Sequence, residues 1–463
     1  MTTTALPAHT PTLADTAAPR TAHGPIVRVI LGSLLAGLAG AAALTLVAFP
    51  GAPEHVITGS ALLAFAAGWA LLAVLSTRLT SQPQRWALVP AAVMAVTGLG
   101  LITVAPGNLG LTDAGWIWPP VMSVLAVWMG VQLRRALTGR VRWLLYPVIA
   151  ALALASVGGF TETVALHHDA ANMAMPGRSY DVRGHRLHLH CTGTGSPTVV
   201  LESGLGEMSS NWARIAPAVA TTTRVCAYDR AGQGWSDDAA RPQDGLAIAR
   251  DLHALLAVAG ERAPFVLVGH STGGTYAMTY AARYPAQVAG MVLLDSSTPD
   301  QFSLPGYAST YAMMRRGLGV APSLARLGLG RLVPEKAMSN LPSPAAGQVR
   351  AFATSSRGLG NMRDEIAELP AAFTQADALH TLGAEPLAVL TATESLHDTS
   401  GWSGAQIRLA ALSSNSSHRI IDATHAGLLD EGRGSGAATL AITDVVHAAR
   451  TQGRLPAHGP HHA

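Results

Sequence analysis

The sequence predicts an α/β domain, a parallel sheet with a helical cap, preceded by an all-α transmembrane domain of about five helices. Three observations carry this. Hydrophobic residues make up 49% of the 463 and charged residues only 13%, against about 25% charged in soluble proteins. Long apolar runs fill the first third of the chain. The remainder alternates short β-rich runs with helical stretches, the pattern of a sheet covered by helices on both faces.

Met1 to Pro25 is rich in Thr, Ala and Pro and is expected to be disordered. Residues 26–161 hold five apolar runs: Val29–Phe49, Val56–Leu75, Trp86–Val104, Trp116–Leu133 and Val141–Phe160. Each has about the length that crosses a bilayer as a helix. Trp86, Trp116, Trp118 and Trp143 sit near run ends, where amphipathic rings favour the interface. The first run alone would also suit a signal peptide, with small residues near Pro50, but the four runs after it argue against that.

Arginine sets the orientation. Arg20 and Arg28 precede the first run, Arg78 and Arg85 follow the second, and Arg134, Arg135, Arg140 and Arg142 separate the fourth from the fifth. Pro50–His55, Ala105–Gly115 and Thr161–Gly177 carry no Lys or Arg. Positive loops stay in the cytoplasm. The expectation is a multi-pass protein of the cell membrane with its N-terminus inside and its C-terminal domain extracytoplasmic. The bilayer is one expected partner. Nucleic acid is not, because the net charge is +3 and no basic run is interleaved with aromatics.

Residues 177–451 read as the α/β domain. Leu187–His190, Thr198–Leu201 and Val225–Tyr228 are β-rich, and Phe265–Val268 and Met291–Leu294 are continuous apolar runs, as buried parallel strands should be. Gly245–Val258 and Thr275–Arg283 read as helices. Asp300–Leu382 breaks the rhythm; it is helical, Ala- and Leu-rich, and reads as an inserted cap. Pro386–Leu390 and Arg419–Ile421 resume the strands, and Ala437–Ala449 makes a last helix. Residues 452–463, with His458, His461 and His462, read as a disordered tail rather than a metal site. No metal or cofactor is expected.

Gly269-His270-Ser271-Thr272-Gly273 follows an apolar strand and precedes a helix. That context suits a G-x-S-x-G nucleophile elbow, whose turn is too tight for side chains beside the serine. A serine hydroxyl attacks well only when a base removes its proton. His425, after the last strand and before the last helix, is the candidate base, whereas His185, His188 and His190 read as structural.

From about Ser179 to Arg450 the chain resembles the α/β-hydrolase superfamily. Asp229-Arg230-Ala231-Gly232-Gln233-Gly234-Trp235-Ser236 matches the family's D-x-x-G-x-G-x-S loop, Gly269–Gly273 matches its elbow and His425 its terminal base. The resemblance implies Ser271 as nucleophile and the backbone N–H groups of Leu205 and Thr272 as oxyanion donors. Ser203 stands where the family usually has the histidine of a His-Gly pair. For the acid, Asp295 after the sixth strand is the first choice, with Asp398 and Glu394 after the seventh as alternatives. Asp229 is expected to shape its loop. In this sheet the second and fourth strands are neighbours, so the resemblance and an outward location together imply a Cys191–Cys226 disulfide. Two buried thiols are the alternative.

These readings converge on a membrane-anchored serine hydrolase that cleaves ester or amide bonds of a small-molecule acyl substrate through an acyl-serine intermediate. Serine at the elbow argues against dehalogenase and epoxide hydrolase chemistry, which in this fold uses a carboxylate, and ester hydrolysis is expected over peptide cleavage. The alternative is a non-catalytic membrane sensor or assembly protein with a ligand-binding hydrolase-like domain.

Overall fold

A computed structural model describes residues 23–337 and 339–456. Most of Met1–Pro25 and the histidines of the tail lie outside the described residues. Helix α1 (His23–Ala42) continues through a wider π turn at Ala43–Ala48. Then come α2 (Glu54–Leu79), α3 (Leu88–Val104), α4 (Asn108–Ala114), α5 (Trp118–Ala136) and α6 (Tyr146–Asn172). Among the described residues, four helical stretches are long and apolar enough to cross a membrane: Pro25–Ala48, Glu54–Leu79, Arg85–Val104 and Gly139–Asn172. A fifth results if α4 and α5, bent by 47°, are read as one broken span. The bend falls where α5 begins on Pro119 and Pro120, which lack the N–H a continuing helix would need.

These helices are apolar on both sides. Trp69, Leu72, Met129, Leu133 and Leu145 form their buried core, while Leu38, Val96 and Val127 are exposed. A soluble helix would turn a polar face outward. Small residues let the backbones meet: a Cβ on Gly68 would lie 3.0 Å from Gly37 Cα, and one on Gly59 2.8 Å from Gly98 O.

The sheet has eight strands: β1 (Arg178–Val182), β2 (His185–Thr192), β3 (Thr198–Glu202), β4 (Val225–Tyr228), β5 (Phe265–His270), β6 (Val288–Leu294), β7 (Leu387–Ala392) and β8 (Ser416–Ile421). Their order is β1-β2-β4-β3-β5-β6-β7-β8. The sheet is not wholly parallel, as the sequence reading had it. β1–β2 and β2–β4 pair antiparallel, and β1 is an edge strand missed in the sequence because its residues are mostly polar and exposed. Side chains alternate between two cores. Val200, Leu267, Met291 and Val389 point to one, and Leu201, Val268, Val292 and Leu390 to the other.

Helices α7 (Ile215–Val219), α8 (Gly245–Val258) and α9 (Thr272–Arg283) alternate with the early strands. Between β6 and β7 lies the cap, with α10 (Tyr307–Arg326), α11 (Ala345–Ala353) and α12 (Ser356–Ala376). After β7 come α13 (Thr393–Asp398) and α14 (Trp402–Ala410), and after β8 come α15 (Gly427–Asp430) and α16 (Gly432–Thr451). The first core is covered by α8, α9 and α14, the second by α7, α15 and α16. Cys191 on β2 pairs in register with Cys226 on β4, and the two form a disulfide with Cα atoms 4.0 Å apart.

Candidate active site

Ser271 sits between the end of β5 and the start of α9 with φ 54° and ψ −125°, a backbone conformation that costs energy in a non-glycine residue and clusters at functional sites. Its neighbours hold the turn. Its N–H donates to Leu294 O at 3.1 Å, and its carbonyl accepts from Ser297 N at 3.0 Å. A Cβ on Gly273 would lie 2.3 Å from Glu202 O, so only glycine lets β3 and the elbow approach this closely. Among the described residues no hydrogen bond reaches Ser271 Oγ. Catalytic contacts in empty sites are often long and tighten with substrate.

The three acid candidates separate cleanly. Asp295, fully buried at the end of β6, places Oδ2 at 2.6 Å from His425 Nδ1. Glu394 instead accepts from the His425 backbone N–H at 2.7 Å, and Asp398 is exposed. Asp295 Oδ1 accepts from Trp402 Nε1 at 2.8 Å and Ala392 N at 3.2 Å, and Ser395 Oγ donates to Oδ2. Burial alone would push this carboxyl up. The hydrogen bonds and the His425 ring outweigh it and hold the group below the ordinary aspartate value. With Nδ1–H donated to Asp295, His425 Nε2 is left as the acceptor.

A second His–carboxylate pair stands behind the first. His270 Nδ1 lies 2.8 Å from Glu207 Oε1, and His270 Nε2 donates to His425 O at 3.1 Å. The Glu207 carboxylate thus lies in ion-pair range of one ring nitrogen while His425 O accepts from the other. Burial pulls the His270 pKa down, but the Glu207 charge outweighs it and raises it. His270 stands inside the elbow motif, whereas no motif marks Glu207.

The loop after β3 is tied down at every residue except one. Arg230 Nη1 donates to Ser203 O at 2.6 Å and Nη2 to Gly204 O at 3.1 Å. Gly204 N donates to Glu207 Oε2 at 2.6 Å, and Gly206 N to Glu365 Oε2 at 3.3 Å. Ser203 Oγ accepts from Trp212 Nε1 at 3.0 Å, a contact that holds the loop where the family carries histidine. Among the described residues the Leu205 N–H alone within 204–207 has no acceptor. A Cβ on Gly204 would lie 3.0 Å from Ser271 Cβ, so this loop borders the serine. Thr272 N–H opens α9, where helix geometry leaves it without an intrahelical partner. Two free N–H groups flanking a serine can receive an oxyanion.

Other residues act at one remove. Asp229 is fully buried, lies 2.9 Å from His188 Nδ1 and accepts from Ser209 N and Trp235 N at 2.6 and 3.0 Å, the loop-shaping role expected of it. Arg230 and Glu365, 3.0 Å apart, link the loop to the cap helix α12. A cavity of about 370 Å³ is lined by Glu54, Asn108, Arg230 and Asn361, and by neither Ser271 nor His425.

The model of a family described as the alpha/beta hydrolase fold matches residues 197–431. An uncharacterised protein of Schizosaccharomyces pombe is 30% identical over 191 residues, 35% of each chain. A 2-hydroxymuconate semialdehyde hydrolase of Pseudomonas sp. is 33% identical over 152 residues, 31% of this chain and 54% of that one. The chain spans about a third to a half of the length of these relatives. Among solved structures, the enol-lactonase from Burkholderia xenovorans is 22% identical, covering 58% of this chain and 100% of that one, with a TM-score of 0.44.

Proposed function

Because the chain belongs to the alpha/beta hydrolase fold family, we propose that it is a membrane-anchored serine hydrolase that cleaves carboxylic esters through an acyl-serine intermediate. One observation carries this most: a fully buried Asp295 holds His425 Nδ1 at 2.6 Å, and the His425 ring lies 4.6 Å from that of His270, the residue before the elbow serine. Ser271 Oγ attacks the acyl carbon as His425 Nε2 takes its proton. The oxyanion is received by the N–H groups of Leu205 and Thr272. The imidazolium, stabilised by Asp295, returns the proton to the departing alkoxide. Water, deprotonated by the same ring, then releases the acid.

The spans anchor the enzyme, with the hydrolase domain on the extracytoplasmic side. Supporting this, the cap contacts the bundle at Pro50, Glu54, Asn108, Thr112, Glu162 and Asp169. All lie in the stretches that carry no Lys or Arg. Ser271→Ala tests the chemistry. In purified full-length protein it should lower kcat for an activated ester by several orders of magnitude while leaving thermal unfolding unchanged. Retention of most of the activity overturns the mechanism.

A further inference from the structure

The cap meets both the loop beside Ser271, through α12, and the N-terminal helices, through α10 packed on α12. On α10, an apolar stripe of Tyr307, Tyr311, Met314 and Leu318 packs against Ile366, Leu369 and Phe373 of α12. Leu205, in the loop that borders Ser271, packs against the same three α12 side chains. About a quarter turn round α10, Arg315, Gly319, Ser323 and Arg326 meet the outer ends of the spans. Ser323 Oγ and Thr58 Oγ1 are 2.7 Å apart. A Cβ on Gly319 would lie 2.9 Å from Gly51 N, so backbone meets backbone there.

Two arginines close this contact. Arg326 reaches Glu54 at 2.5 Å, Asn108 at 3.0 Å and Thr112 at 3.3 Å, joining α10 to α2 and α4. Arg331, just beyond α10, reaches Glu162 at 2.8 Å and Asp169 at 2.6 Å on α6. Glu162 is nearly fully buried, and a buried carboxylate is stable only when paired. Between the arginines, a Cβ on Gly158 of α6 would lie 2.2 Å from Leu327 O. The span side supplies the acids and the cap side the bases. The fit is steric and electrostatic at once.

We infer that the spans are a working part of the hydrolase: through Arg326 and Arg331 they hold the cap so that its apolar stripe forms a wall for a long acyl chain beside Ser271. The two arginines are positioning residues that act through α10. The substrate class that follows is an ester of a long, lipid-soluble acid. A long chain would use the full wall, whereas an acetyl group needs only the serine and the oxyanion donors. This rests on the acyl-serine reading given above.

The test uses full-length protein in lipid-containing micelles with three readouts. These are the rate of labelling by a fluorophosphonate, kcat/KM for an acetate ester and kcat/KM for a long-chain ester of the same phenol. Arg326→Ala/Arg331→Ala should lose about ten-fold or more on the long-chain ester, chiefly through KM, with labelling and acetate turnover within about two-fold of wild type. Arg326→Glu should show the same selective loss, and adding Glu54→Arg should restore at least about half of it on a logarithmic scale. A double variant that handles the long-chain ester like wild type overturns the proposal. So does a parallel fall in all three readouts that the reversed pair does not repair. Wild-type protein that takes no label removes the serine-hydrolase reading, and the proposal with it, before any variant is compared.

Discussion

Asp295 reaches His425 from a position that no motif marks, at φ 43° where the chain leaves β6. Four groups share its two oxygens, and among the described residues His425 is its ion-pair partner. Asp295→Asn should cut kcat by about 10³–10⁴-fold, because an amide cannot hold the imidazolium, while Asp398→Asn changes it by less than about two-fold. Steady-state kinetics on both proteins decides between them, and the reverse ranking would move the acid to the seventh strand. Glu202 gives a pH-dependent test. Burial, opposed by Arg230 and by the Tyr228 hydroxyl, raises its carboxyl from 4.5 to about 7. The folded protein therefore binds a proton that the unfolded chain has lost between those values, so stability falls as pH rises through about 7. Glu202→Gln should match wild type in unfolding temperature near about pH 5 and exceed it near about pH 8. A constant difference across that range contradicts the assignment. Ser271 and His425 were legible because each sits in a fixed local pattern. Glu207, Ser395, Trp402 and Glu365 were not, because their partners lie far away in sequence and meet only when loops close over the sheet.

The strands and cap were legible from runs of apolar residues, and so was the β2–β4 disulfide once the fold had been recognised. The bridge closes a separation of 35 residues, for which chain-entropy estimates give about 3–4 kcal/mol at most. Cys191→Ser/Cys226→Ser should unfold at a lower temperature yet keep wild-type fluorophosphonate reactivity, since both cysteines lie outside the site. An unchanged unfolding temperature would mean that the bridge adds nothing. Element ends were harder to read. The fifth apolar run stops at Phe160 by hydropathy, yet α6 continues to Asn172. Nothing in that stretch breaks a helix, and its charges Glu162 and Asp169 are met by Arg331. The bend between α4 and α5 was hidden because both pieces are apolar, and only Pro119 and Pro120 mark it.

At the scale of the whole molecule, the cap meets the helix bundle at Pro50, Glu54, Asn108, Thr112, Glu162 and Asp169, in stretches free of Lys and Arg, and the proposed orientation rests on that contrast with the arginine-bearing loops. A C-terminal tag should therefore be reachable by protease in intact cells or spheroplasts, and a tag cleaved only after lysis would reverse the orientation. The cap lies between the bundle and the sheet, and in the proposed orientation it would face the extracytoplasmic surface. The acyl-serine account depends on Ser271 being an activated nucleophile. The most direct measurement is peptide mass mapping of the purified full-length protein after brief treatment with a fluorophosphonate. The account predicts one stoichiometric adduct, on the peptide containing Ser271, and none in Ser271→Ala. An unmodified Ser271 peptide, or an adduct that persists in the alanine variant, would contradict it.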